Sequence, residues 1–155
     1  MCLEGEPQAR RKGMKLIMNG NRIIVHTLIE IDGKYLVTKR SKKESTYPEY
    51  WDIPGGLAEY GELPKNAIIR ETKEEVGLNI IPTKIIHEDS NLDKSKDLIF
   101  IRLVYLCKLN DKIENIKLQI EEHSEYRLIK SLKDLDDEKI SPFLIELFND
   151  DLDIE

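Results

Sequence analysis

From Arg22 onward, short apolar runs alternate with polar breaks, and this pattern predicts most of the elements. Ile23-Ile24-Val25-His26-Thr27-Leu28-Ile29-Glu30-Ile31 is dense in β-branched residues and reads as a strand. Asp32-Gly33 is a two-residue hairpin signal, so residues 34–40 are expected to return as a second strand. Residues 41–48 form a polar loop, and Tyr50-Trp51-Asp52-Ile53 is a short strand leading into a Pro54-Gly55-Gly56 loop. Pro64 suits a first helical position and Gly77 a left-handed helix end, which together bound a helix. Leu63, just before it, is a poor N-cap. Further strands are expected over 79–87, 98–107 and 125–130. The second of these is apolar almost throughout and belongs in the interior of a sheet. Phe143, Leu144, Leu147 and Phe148 recur at helical spacing and predict a C-terminal helix over 142–148. The fold class is α/β, a mixed sheet covered by helices on both faces.

The helix from Pro64 carries the chemistry. Glu71, Glu74 and Glu75 stand at i, i+3 and i+4, and with ~100° per residue their carboxylates crowd one side. Thr72, Val76 and Ile69 lie roughly opposite and form the expected packing face. Like charges at these spacings weaken an isolated helix by roughly 0.2–0.5 kcal/mol per pair. A divalent cation reverses that penalty, and hard oxygen ligands suit Mg²⁺ or Mn²⁺. A bare Glu-x-x-Glu-Glu is ordinarily a solvated face. Here it is framed by Gly55-Gly56, whose backbone can approach a ligand closely, by Glu62 at the end of that loop, by Arg70 and by Gly77.

This arrangement of Gly56, Glu62, Arg70-Glu71, Glu74-Glu75 and Gly77 resembles the signature of the Nudix hydrolases, with Thr72 where the family usually has an aliphatic residue. Weaker resemblance extends from about Arg22 to Lys130. It implies an α/β/α sandwich with a mixed central sheet and metal-dependent hydrolysis of a phosphoanhydride. It also implies Glu71, Glu74, Glu75 and the Gly55 carbonyl as metal ligands, with Glu62 and Arg70 orienting them. The proton acceptor in this family lies on the signature helix or in a later loop. The later loop here is 119–125, where Glu121 is the first candidate ligand or base, with Glu122 and Glu125 behind it. Arg40, with Lys39, resembles a basic pair that meets substrate phosphate, and Gly56 borders the same site. Trp51 suits either stacking on a base or core packing.

Substrate class is narrowed by elimination. The proline that marks many ADP-ribose pyrophosphatases would fall near Lys94 and is absent, as is the tyrosine typical of dinucleoside-polyphosphate hydrolases. No coenzyme A signature, four-cysteine zinc site or isomerase-type catalytic cysteine is present. The MutT-like branch is left in front, cleaving nucleoside triphosphates to monophosphate and pyrophosphate. ADP-ribose or another nucleoside diphosphate derivative stands second. A non-catalytic nucleotide-binding module and trimming of RNA 5′ ends are further alternatives; retention of every signature glutamate argues against the module.

Composition adds exclusions. The 155 residues suffice for one domain, 40% hydrophobic and 35% charged. Residues 1–21 read as a loose leader before a domain spanning 22–155. Met14 is an alternative start, and the polar N-terminus lacks the apolar core of a signal peptide. The net charge of −6 divides into +4 over residues 1–50 and −10 over 51–155. That balance disfavours a duplex nucleic acid and fits a small phosphorylated ligand held through a metal. No apolar run reaches the ~18–20 residues that cross a bilayer. Cys2 and Cys107 have neither metal-ligand nor disulfide-framework spacing, so Cys107 is expected in the core and the protein in the cytoplasm. His26 is expected in strand packing, and His87 and His123 at the surface. Dimers are common in the resembled family, so a homodimer is a candidate assembly.

Overall fold

The computed structural model of the chain describes residues 21–136 and 139–149. Among these, the order is β1 (Asn21–Ile31), β2 (Lys34–Arg40), β3 (Trp51–Asp52), β4 (Gly55–Leu57), α1 (Pro64–Val76), β5 (Ile80–Asp93), β6 (Leu98–Leu109), β7 (His123–Ile129) and α2 (Pro142–Asn149). Cys2, Met14 and all of the expected leader except Asn21, the first residue of β1, lie outside the described residues. No described helix is long and apolar enough to cross a membrane.

The sheet is mixed. β1 runs parallel to β6, and β6 pairs antiparallel with β5, which makes β6 an interior strand as its apolar sequence predicts. β1 turns into β2 through Asp32 and Gly33, both at positive φ (52° and 78°), as a two-residue hairpin requires. These two strands pair only beside the turn, at Glu30 with Tyr35 and Ile31 with Lys34. Farther along, β1 takes β4 as its partner, with Val25 opposite Gly56 and His26 opposite Gly55. β3 and β7 pair with β2. The segment around Gly55-Gly56, expected as a loop, is therefore a short strand. It can lie there because a Cβ on Gly55 would come 2.3 Å from the Val25 carbonyl oxygen.

Strand alternation divides the core between two layers. Val25, Ile29, Leu36, Tyr105 and Cys107 face α1 with Ala67, Ile68 and Val76. Leu28, Val37, Trp51, Val104 and Leu106 face α2 with Leu144 and Leu147. Helices on both faces of a mixed sheet make the expected α/β/α sandwich. Trp51 is wholly buried, so core packing is its role. Cys107 is buried too, and burial pushes its thiol up to about 11. β5 runs six residues past its expected end at His87, because its polar second half Glu88–Asp93 is held by backbone pairing to β6.

One face of α1 departs from the expected wheel. Thr72 and Val76 are buried, and the Thr72 hydroxyl donates to the Ile68 carbonyl (2.6 Å). Ile69 stays 40% exposed, and Ile68 takes its place in the core. With Glu71 at 0° and ~100° per residue, Ile68 falls near ~60° and Glu75 near ~40°. The buried arc thus runs from Ala67, near ~320°, through Glu75 to Val76, and it draws one of the three glutamates inside.

Candidate active site

α1 starts without a side-chain cap at Leu63 and with Pro64 in its first turn, and it ends at Gly77 in the left-handed conformation (φ 74°). Its last carbonyls are not left open. Lys117 N–H donates to Val76 O (2.8 Å) and Gln119 N–H to Glu75 O (2.7 Å), satisfying acceptors that a helix end otherwise leaves orphaned. Gly77 permits this closeness, since a Cβ there would meet Lys117 at 3.1 Å. The docked segment then folds back, with Glu122 and His123 N–H both donating to Gln119 O. Glu122 and His123 are thereby carried to the carboxylate of Glu75.

That carboxylate is the electrostatic centre of the site. Glu75 is 6% exposed, and its Oε2 accepts the Gly55 N–H (2.8 Å). Burial first, then the Glu122 and Glu71 carboxyls, push its pKa up to about 10, against the pull of that single N–H. Burial likewise raises Glu71, with Arg70 opposing it. Glu71 packs against Gly56, where a Cβ would come 2.5 Å from both Cδ and Oε2 of Glu71. Gly56→Ala is accordingly expected to displace the Glu71 carboxyl and lower turnover by about 100-fold, the scale on which a 1 Å misplacement acts. Steady-state kinetics alongside an unchanged far-ultraviolet circular dichroism spectrum would check it; near-parental turnover would contradict it.

Arg70 organises the outer side. Its Nε and Nη2 donate to the two oxygens of Glu62 (2.8 and 2.9 Å), and its Nη1 reaches Glu71 (2.9 Å) and Glu74 (3.1 Å). The Arg70 guanidinium and the Glu59 N–H hold the Glu62 carboxyl down at about 2. So Glu62 and Arg70 form one ion pair, and the Arg70–Glu74 contact coexists with it. Glu74 is the exposed member of the trio, on the Arg70 side, whereas Glu71 and Glu75 line a cavity of about 350 Å³ together with Glu122, His123 and Arg40.

The loop carboxylates are placed differently from the expected ranking. Glu121, the first candidate for ligand or base, ion-pairs with Lys43 (3.0 Å) and is two-thirds exposed. Glu125 lies beside Arg127 (3.4 Å) on β7. Glu122 is the one brought to Glu75, because the Gln119 turn and the start of β7 set which side of the chain faces inward. His123, expected at the surface, is 4% exposed, and burial lowers its pKa to about 4. His87 is half-buried and contacts Asp89 (2.8 Å), so it too differs from a surface residue. Lys39 and Arg40 alternate across β2: the Lys39 ammonium lies over the Trp51 ring, and only Arg40 faces the cavity.

The model of the NUDIX domain matches residues 19–150. The chain belongs to that family. A nucleoside triphosphatase, NudI, of Escherichia coli K12 is 32% identical over 118 residues, which is 70% of this chain and 82% of the relative. Among solved structures, a MutT protein from Methanosarcina mazei Go1 is 27% identical with a TM-score of 0.67, covering 84% of this chain and 91% of that one. A MutT NUDIX hydrolase from Burkholderia pseudomallei gives a TM-score of 0.66 at 20% identity, over 83% and 95% of the two chains, and supports the fold.

The donor set of this Nudix hydrolase fits a divalent ion. Glu71, Glu75 and Glu122 converge with one backbone N–H between them, and carboxylate crowding in a buried site is relieved by a bound cation. The Gly55 N–H donates to Glu75, which places the Gly55 backbone beside the same carboxylates.

A second cavity, about 370 Å³, shares Arg40 and His26 with the first and continues toward Asp52, Arg102 and Phe143. The Arg102 guanidinium lies 4.0 Å over the Phe143 ring, and His26 packs tilted against the same ring with centroids 4.8 Å apart. Burial raises the Asp52 carboxyl to about 6 and lowers His26 to about 3. A carboxyl whose folded pKa is raised stabilises below its unfolded value near 4 and loses that contribution as pH rises through 6. Asp52→Asn is therefore expected to be more stable than the parent at pH 8, by at most roughly 3 kcal/mol, and equal to it near pH 4. Urea titrations at the two pH values would measure this, and an equal gain at both would refute it.

Proposed function

We propose that the protein is a Mg²⁺-dependent nucleoside triphosphate pyrophosphohydrolase, releasing the monophosphate and pyrophosphate. The observation that carries this reading is the pair of adjoining cavities, joined at Arg40, with carboxylates in one and a polar-aromatic wall in the other. Small-ligand sites are concave and place convergent polar groups beside apolar surface, and the second cavity sets Arg40, Asp52 and Arg102 around the Tyr47 and Phe143 rings. The name of the Escherichia coli relative, a nucleoside triphosphatase, points the same way. The acidic balance after residue 50 favours a small nucleotide over a nucleic-acid duplex, and cytoplasmic residence completes the reading.

Glu71, Glu74, Glu75 and Glu122 would hold Mg²⁺, with Mn²⁺ as a substitute. A bound ion of this kind neutralises phosphate charge and makes a coordinated water more acidic. The chain supplies the rest. Arg40, at the junction of the cavities, receives phosphate oxygens, for which a planar guanidinium gives paired donors. Arg70 holds Glu71 and Glu74 in place through its own clamp on Glu62. A Glu122 carboxylate oxygen accepts the proton of the attacking water. The second cavity seats the nucleoside against Phe143 and Arg102.

A release panel tests the proposal. Nucleoside triphosphates, ADP-ribose, nucleotide sugars and dinucleoside polyphosphates are incubated with Mg²⁺ and coupled either to inorganic pyrophosphatase or to alkaline phosphatase. Pyrophosphate release from one or more triphosphates is the expected result. Turnover confined to the phosphatase-coupled arm on ADP-ribose or a nucleotide sugar would replace the proposed substrate, and silence from a folded, metal-binding protein would point to a binding module.

A further inference from the structure

Neither ring nitrogen of His123 makes a hydrogen bond, although the side chain is 4% exposed. Buried polar groups are rarely left so, because each one has given up its water without gaining a partner. The ring is also aimed at the site. Its Nε2 is 3.6 Å from Glu75 Oε1, and one donor atom from each of Glu75, Glu122 and His123 falls within 4.8 Å of the others. Donors about 2.1 Å from a common ion lie roughly 3 Å apart at right angles and roughly 4.2 Å apart across it. The 3.6 Å between His123 and Glu75 falls within that range, and the 4.8 Å that bounds all three groups exceeds it by a few tenths of an ångström, so small side-chain movements bring the three onto one ion.

We infer that His123 is a nitrogen ligand of the divalent ion, so that this chain has a mixed carboxylate and imidazole site that favours Mn²⁺ over Mg²⁺. The inference rests on the metal-dependent reading above and adds a ligand to it. Mg²⁺ demands a near-ideal oxygen octahedron, whereas imidazole suits first-row transition ions. Ligation also satisfies one of the two stranded nitrogens, which an all-oxygen site would leave as they are.

The test uses the full chain with Mn²⁺ as the probe. Electron spin-echo envelope modulation of bound Mn²⁺ is expected to show ¹⁴N coupling in the parent and in His26→Gln, and none in His123→Gln. Calorimetric titration is expected to show Mn²⁺ binding weakened at least about tenfold in His123→Gln, with Mg²⁺ binding changed by less than about twofold. A parent without ¹⁴N coupling, or a signal lost in His26→Gln and kept in His123→Gln, overturns the inference. Glu75→Gln separates the two levels. If it weakens Mn²⁺ binding while the parent lacks nitrogen coupling, the metal site stands and only the His123 ligand falls. If it binds Mn²⁺ as the parent does, the metal reading itself fails.

Discussion

Glu75→Gln is expected to give a protein that is more stable than its parent without metal and at least about a thousandfold slower with it. Both effects come from one carboxylate held where an isolated molecule would not choose to ionise it. Its pKa is raised from 4.5 to about 10, chiefly by burial and then by Glu122 and Glu71. The folded state therefore holds a proton that the unfolded chain has lost, and stability falls as pH rises from 4.5 toward 10. Glutamine is the neutral equivalent: its oxygen can still accept the Gly55 N–H, and its amide can donate to Glu122. The expected gain at pH 8 in EDTA is about 2 kcal/mol, or roughly 4–8 °C in Tm for a chain of this size. At pH 5, close to the unfolded pKa, the gain is expected to be small. Thermal melts at the two pH values, with kinetics under saturating Mg²⁺, read both halves. A variant less stable than the parent in EDTA, or one with normal turnover, would show that Glu75 is not the strained ligand described.

Glu122→Gln and Glu121→Gln form the second expected contrast. Adjacent in sequence, they are expected to differ by about 100-fold or more in kcat, since loss of a general base costs 10²–10⁴. Glu121 sits in an exposed ion pair with Lys43. Such pairs contribute about 0–1 kcal/mol to stability and nothing to a reaction beyond their reach. Glu121→Gln is thus expected to stay within about twofold of the parent in kcat, as a surface change should. Equal losses in the two variants would mean that the loop turns differently when substrate is bound.

The contrast also marks the limit of what the sequence makes legible. Spacing alone places Glu71, Glu74 and Glu75 on one side of a helix, Pro64 and Gly77 at its ends, and Asp32-Gly33 in a hairpin. These are local properties, fixed by backbone geometry within a few residues. Which loop glutamate faces inward is not local. It depends on amides of Lys117 and Gln119 finding carbonyls of Glu75 and Val76, some forty residues earlier. The exchange of Ile69 for Ile68 has the same origin, because a helical wheel lacks the direction from which the sheet arrives. Glu75 becomes buried through that rotation, a consequence no glutamate spacing announces. His123 is hidden for a similar reason: a polar loop in sequence becomes an inner wall once it docks. Gly55-Gly56 forms a strand because it is bare enough to lie against Val25 and Glu71, and an excess of glycine in sequence reads only as a turn.

The amide bonds from Lys117 and Gln119 to the end of α1 join two stretches of chain into one cooperative unit. Local openings of folded proteins occur in such units rather than residue by residue. Fraying of the last turn of α1 would remove one anchor of the segment that carries Glu122 and His123, which β2 also holds through the Ser41 N–H to Glu122 O, and lifting that segment would uncap the helix that carries Glu75. The helix end that carries Glu75 and the turn that carries Glu122 are therefore expected to share one opening free energy in hydrogen exchange.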